Sequence, residues 1–507
     1  MTFLSFQHRG WFWISVILAA AGALALAFLP WEAVGAPVLA ILLFGGIALG
    51  LALHDTPAEE RRFVIRLFLV ALAVRLLAAL LFNLVVGGNE AYLTSDANSY
   101  DRAAWVMARN WRTPGLPPEG LGPLDFILDD VYPQLLAGLY FLIGHSPAAA
   151  IVLNALLGTS SVYLVYRIGA TLFGPVVARW AGWLTAFYTG FWLWEMMTLK
   201  DALFLFLILL FFLALYRLWY ILIFPDRSGA RLLRAAGWAA VLILVFMAAG
   251  EMRWYVPAVL AGAVILLPLV HFLRTGGLRR WLLVVGAAAV ILVIFWPKIL
   301  SRSLAPVAVD SQSMLFQVTE LPVTENVGIF LGWIFSHPAA FARFMALAVF
   351  STTLAPYAWI LPGTLPEVQQ FEPYMIAFPG MWIWYLMIPF TLFGVVQAVR
   401  RSKGDVWPLV FYAAAIFLVV SIFIPREHRH RDMIMPIALL LAAEGLVYSR
   451  RWWALGMLVW IPLVGFIAWK LHSPVPVLLA AGLAALGIFV WHIRMRRQRG
   501  PSLVKVT

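Results

Sequence analysis

Ser95-Asp96-Ala97-Asn98-Ser99-Tyr100-Asp101 is a run of mostly polar residues in an otherwise mostly apolar chain, and it lies within an acidic stretch of about 45 residues, 87–132. There Glu90, Asp96, Asp101, Glu119, Asp125, Asp129 and Asp130 outnumber Arg102, Arg109 and Arg112. A second polar island reads Glu195-Met196-Met197-Thr198-Leu199-Lys200-Asp201, and a third reads Pro425-Arg426-Glu427-His428-Arg429-His430-Arg431-Asp432. Glu251-Met252-Arg253 is a smaller one between them. Carboxylates so placed accept protons or hold cations, and clustered arginines hold a phosphate, a carboxylate or a lipid headgroup. A solvated loop and an interfacial belt of snorkelling arginines are the plainer readings of the same residues.

These islands are set between long apolar runs. Of 507 residues, 63% are hydrophobic and 12% charged, and the mean hydropathy is +0.91, values that an ordinary soluble domain does not reach. The expected fold is an all-α polytopic membrane protein. A formal charge of +12 can signal nucleic acid, but the basic residues fall in short clusters between apolar runs, as in cytoplasmic loops, which argues against a nucleic-acid partner. The absence of cysteine excludes disulfides, thiolate nucleophiles and cysteine-ligated metals.

Counting runs of roughly 20 apolar residues gives about 14 spans with both termini inside. Residues 1–62 form a retained transmembrane hairpin, 11–29 and 37–53, and a cytoplasmic linker. Residues 63–296 form a core with spans 63–86, 147–173, 176–194, 202–224, 235–250, 254–272 and 281–296 and an outer loop, 87–146. Residues 297–379 form an extracytoplasmic region with juxtamembrane pieces at 327–335 and 338–361, and 380–507 hold the last spans, 381–399, 406–424, 433–448, 452–469 and 474–493, and a basic tail. The segment 133–144 is too short to span and lies at the interface. Basic turns at Arg231, Arg279, Arg401 and Arg451 fix one face as cytoplasmic, which puts all three islands and Arg253 on the outer face. Arg75, inside the span 63–86, requires a partner, because a mid-membrane arginine costs about 2.5–3.5 kcal/mol on insertion scales.

If the chain is helical from Asp96, then Asp96, Ser99 and Tyr100 share a face, while Asp101 lies about 140° around and caps the helix or meets water. The block 131–216 carries Tyr132-Pro133, Gly144-His145-Ser146-Pro147, Asn154-Ala155-Leu156-Leu157-Gly158, Tyr166-Arg167, Leu172-Phe173-Gly174 and Lys200-Asp201-Ala202-Leu203. In these it resembles the GT-C superfamily of membrane glycosyltransferases, and within it the bacterial relatives of protein O-mannosyltransferases and of the lipid A aminoarabinose transferase. Arg431-Asp432-Met433-Ile434-Met435-Pro436 resembles the family's Arg-x-x-x-x-Pro element, and the similarity extends over 63–448.

The resemblance implies a bacterial inner-membrane enzyme. It would move a sugar from a polyprenyl-phosphate donor to a hydroxyl of a lipid, glycan or protein at the extracytoplasmic face, with inversion. It also implies a catalytic acid in the first outer loop, which falls on Asp96. The mannosyltransferases carry an adjacent Asp-Glu pair where this chain has Asp96-Ala97, so the base stays open between Asp96 and Asp101, with Tyr100 as an aromatic wall. Such a reaction needs the departing phosphate neutralised, for which Lys200, Arg253, Arg426, Arg429 and Arg431 are the candidates. A divalent cation (Mg, Mn or Zn) can share that work, with Asp96, Glu195, Asp201, His428 and His430 as candidate ligands. Two other readings are a flippase or transporter of lipid-linked sugars, although no internal repeat is evident, and an O-antigen ligase or polymerase.

Overall fold

Helix formation here follows from apolar length and from a few end signals. The computed structural model describes residues 30–86, 95–113, 130–223, 231–253, 255–275, 335–342, 374–401, 405–423 and 431–448, with isolated positions 286, 345, 349, 353, 457 and 460–462. Among these residues every regular element is helical. They are α1 (Trp31–His54), α2 (Arg61–Val86), α3 (Ser95–Arg112), α4 (Val131–Ile143), α5 (Pro147–Leu172), α6 (Pro175–Phe187), α7 (Thr189–Glu195), α8 (Asp201–Ile223), α9 (Arg231–Met252), α10 (Val256–Thr275), α11 (Tyr374–Arg401), α12 (Trp407–Phe423) and α13 (Met435–Tyr448). Six of them, α1, α2, α5, α8, α9 and α11, contain stretches long and apolar enough to cross a membrane, and α4, α10, α12 and α13 contain shorter apolar stretches. The chain is a helical membrane protein. The expected spans 11–29, 281–296, 452–469 and 474–493, most of 297–379 and the basic tail lie outside the described residues, isolated positions aside.

Local chemistry sets the boundaries. Asp130 caps α4 by accepting from the Tyr132 N–H at 3.2 Å, and Gly144 ends it at φ 88°, a conformation open to glycine. Ser146 then caps α5 by accepting from the Ala149 N–H, with Pro147 in the first turn, where a missing N–H costs nothing. The expected span 176–194 is not one helix. It breaks at Tyr188, whose ψ of 101° separates α6 from α7. Likewise α1 begins at Trp31 rather than 37, and the Trp31 indole donates to the Ile143 carbonyl at the end of α4.

The bundle has two polar ends. At one, Asp55 accepts from Arg167 of α5 and Arg217 of α8, each at 2.7 Å, while Glu60 binds Arg179 of α6 at 2.6 Å and Tyr220 donates to Asp405 at 3.0 Å. At the other, α3, α4 and the starts of α8, α10 and α13 come together through Lys200, Asp201 and Arg253. Between them lies a continuous apolar core in which α11 and α13 pack backbone to backbone, Gly394 against Leu441 and Gly445 against Phe390. Such close approach is how membrane helices gain dispersion energy without a hydrophobic drive between them.

Gly394→Leu and Gly445→Leu should therefore each lower the thermal unfolding midpoint of the detergent-purified protein, by the equivalent of at least the about 1–3 kcal/mol typical of overpacking. Gly46→Leu and Gly237→Leu, where a new Cβ meets nothing within 4 Å, should leave it nearly unchanged.

Candidate functional site

Arg75 of α2 is 1% exposed and its guanidinium lies 2.6 Å from the Glu195 carboxylate at the end of α7. It also donates to the Ala71 and Ala186 carbonyls at 3.1 and 3.4 Å. The partner that Arg75 requires in a membrane is thus Glu195. Gly158 of α5 makes room for it, since any Cβ there would collide with the Glu195 carboxylate. The backbone break at Tyr188 has a cause of the same kind: the Tyr188 hydroxyl and the Trp194 indole both donate to Asp432, each at 3.0 Å, which ties α7 to the turn before α13.

The segment after α7 is held by one buried amide. Asn154 donates to the carbonyls of Met197 and Leu199 at 2.7 and 3.1 Å and exchanges hydrogen bonds with the Tyr132 hydroxyl. This fixes Lys200 at the start of α8, where its ammonium meets Asp130 at 2.5 Å and the Met252 carbonyl at 3.3 Å, 5.6 Å from the centre of the Tyr100 ring. The Tyr100 and Tyr132 rings meet edge to face, 5.5 Å apart. Arg253 pairs with Asp201 at 3.0 Å and lies over Phe204. Arg431 is 1% exposed, donates to the Thr353 carbonyl at 3.2 Å and lies over Trp384.

Phe191, Trp194, Glu195, Asp201, Ala202 and Asp432 line a half-open cleft, with Leu205 and Met433 completing it. Its accessible space is about 20 Å³, room for about one water molecule. Burial pushes the Asp432 carboxyl up to about 6, against the pull of Arg431 and of the Trp194 and Tyr188 donors, and Asp201 adds to the rise.

Of the residues singled out in the sequence, Tyr100, Lys200, Asp201 and Arg253 gather at this end, and Glu195 and Arg431 adjoin the cleft region. Asp96 lies in the first turn of α3 and is exposed, whereas Tyr100, one turn on, is buried, so the two do not line one wall. Asp101 lies inside the helix and does not cap it, and about 20% of its side chain still meets water. Because α4 packs along α3, the Tyr140 hydroxyl donates to Asp101, and His145 Nε2 lies 3.0 Å from its other oxygen. That hydrogen bond holds the His145 imidazole above its ordinary range, against its partial burial. Arg426, Arg429, His428 and His430 lie outside the described residues.

Among the candidate metal ligands, Glu195 is engaged by Arg75 and Asp201 by Arg253, and no group of three His, Asp or Glu converges among the described residues. The described residues alone therefore give no ligand set for a divalent ion. Asp432, Asn154, Asp130 and Tyr188 have roles in the site that composition and spacing did not assign. Asn154 did carry a signal, being an amide in the middle of an apolar run, and Asp432 ended the third polar island.

Arg75→Met or Glu195→Gln alone should cost about 3–5 kcal/mol, because each leaves a buried polar partner behind. The double variant Arg75→Met/Glu195→Met should cost clearly less than the sum, read as unfolding midpoints in one detergent. Additive losses would mean that the two groups do not act as a pair.

No family model, curated protein or solved structure matches the chain.

Proposed function

We propose that this chain is a membrane glycosyltransferase of GT-C type, with about 14 spans, that acts at the extracytoplasmic face of a bacterial inner membrane. It moves a sugar from a polyprenyl-phosphate donor to a hydroxyl of a lipid, glycan or protein, with inversion at the anomeric carbon. The observation that carries this reading is the meeting of three polar stretches, remote in sequence, at one end of an apolar helix bundle beside a small cleft. A lipid-linked donor demands that combination: an apolar flank for its chain, cations for its phosphate, and a carboxylate for the incoming hydroxyl.

In this division of labour Lys200, Arg253 and the arginines 426, 429 and 431 receive the phosphate. Lys200 and Arg253 are held in place by Asp130 and Asp201, so a phosphate shares or displaces those carboxylates on docking. Asp96, exposed at the start of α3, takes the acceptor proton as the acceptor oxygen bonds to the anomeric carbon. The bond from that carbon to the phosphate oxygen breaks, and polyprenyl phosphate leaves with the electron pair. No step is routed through a metal, because Arg75 and Arg253 already engage two of the candidate ligands.

A second reading, movement of a lipid-linked sugar across the membrane, is favoured by two observations. The helix break at Tyr188 and the buried Arg75–Glu195 pair are features that transport proteins use near the bilayer midplane.

Purified protein supplied with polyprenyl-phosphate sugars and an extract of cell-envelope acceptors should release free polyprenyl phosphate. Asp96→Asn should reduce that release by about 10² to 10⁴ while leaving donor binding and fold intact. Asp101→Asn should act mainly by loosening α3 from α4, visible as a lower unfolding midpoint. Absence of release, with sugar-lipid appearing in the opposite leaflet of proteoliposomes, would favour transport instead.

A further inference from the structure

His145 sits at a braced corner of the chain. Gly144, at φ 88°, turns the chain out of α4, and Ser146 then caps α5. The start of α1 holds the same corner: the Trp31 indole donates to the Ile143 carbonyl at 2.7 Å, and the Ser146 hydroxyl donates to the Glu32 carbonyl. The imidazole presented there stacks on Trp105 of α3, with ring centres 5.0 Å apart, and meets the Tyr140 ring edge to face at 5.1 Å. Packing thus sets its orientation, and its Nε2 lies 3.0 Å from Asp101 of α3.

Both oxygens of Asp101 face this corner. One accepts from the Tyr140 hydroxyl and the other meets His145, so the carboxylate ties α3 to α4 and to the turn before α5. Among the described residues, the charged or titratable groups that act on the imidazole are Asp101 from α3, Tyr140 from α4 and Glu32 from α1. No cation is among them. The hydrogen bond to Asp101 raises the imidazole above its ordinary range, partial burial opposes the rise, and the charges of Asp101 and Glu32 add to it. When protonated, His145 makes a charge-assisted bond to Asp101; when neutral, it offers only an ordinary one. Because the folded-state value is raised, the extra holding is fully present below the unfolded-chain value of about 6.5 and is lost as pH rises through the folded-state value.

We propose that His145 and Asp101 form a pH-sensitive latch, which holds α3 tightly against the α4–α5 corner in mild acid and slackens when the imidazole loses its proton. The corner is fixed by α1, so the slackening falls on α3, the helix that also carries Asp96 and sets Tyr100 beside Lys200. This contact exists whatever substrate the chain handles, so the latch stands apart from the transferase reading.

Two measurements on the full chain in one detergent test it. Carbethoxylation of the neutral imidazole, read at His145 by peptide mass spectrometry between about pH 5 and pH 9, needs no variant and should reach half its maximum above about 6.5. A midpoint at or below that value would overturn the proposal. The second measurement follows α3 itself. Ala108 lies seven residues after Asp101, hence on the same helix face, and is fully buried. Ala108→Cys gives the cysteine-free chain one thiol that a maleimide reaches when α3 lifts, and dividing its labelling rate by that of Ala108→Cys/His145→Gln cancels the titration of the thiol. The ratio should rise about two- to fivefold from about pH 5.5 to about pH 8.5, the range for one partly exposed ion pair. A flat ratio would make the contact a fixed brace and overturn the latch. If the double variant does not fold, hydrogen exchange of the unaltered chain decides instead: the protection of α3 amides, corrected for intrinsic rates, should fall over the same interval, and constant protection would overturn the latch.

Discussion

A buried arginine facing a buried glutamate is the constraint from which the site follows. Arg75 and Glu195 are removed from water almost completely, and two charges in that position persist only if they meet each other with good geometry. Their contact joins α2 to the end of α7, and it can form only because Gly158 leaves a gap in α5. Once α7 is fixed there, Trp194 and Tyr188 reach Asp432, and the following segment is placed for Asn154 to hold. The cleft is what remains between these anchors.

The same logic explains why the two polar ends look different. At the end with Asp55 and Glu60, carboxylates in the short linker between α1 and α2 gather arginines from α5, α6 and α8. These pairs close the bundle, and several of their members are partly exposed, so each contributes little energy singly and more as a joint constraint on helix position. At the other end the pairs are more buried and stand beside free space. Charged groups held in fixed positions near an open cleft are prepared for a ligand in a way that solvated side chains are not, since less reorganisation accompanies binding.

Much of this was legible in the sequence because apolar length and basic turns are local signals. The spans expected at 63–86, 147–173 and 202–224 correspond to α2, α5 and α8. The requirement that Arg75 find a partner followed from the cost of a charge in lipid, but the identity of the partner did not, because it depends on how α2 packs against α7. The break at Tyr188 was invisible for a similar reason: the run 176–194 is apolar apart from Arg179, Thr185 and Thr189, and the hydrogen bonds that favour a break come from Asp432, more than 200 positions away. Asp101 shows the limit of a helical wheel. Its angle from Asp96 was available from spacing, but what occupies that direction is α4, whose Tyr140 and the adjoining His145 turn an expected solvent-facing carboxylate into a packed one.

The account depends most on the two ends lying on opposite sides of the membrane, with the cleft end outside. The chain has no cysteine, so single replacements report side directly. Asp96→Cys and His145→Cys sample the cleft end, and Arg179→Cys and Arg401→Cys sample the other at side chains that are 48% and 45% exposed. An impermeant thiol reagent added to intact spheroplasts should label the first two and reach the second two only after the membrane is permeabilised. Labelling of both pairs from the same side would contradict the account, and the reverse pattern would place the chemistry in the cytoplasm.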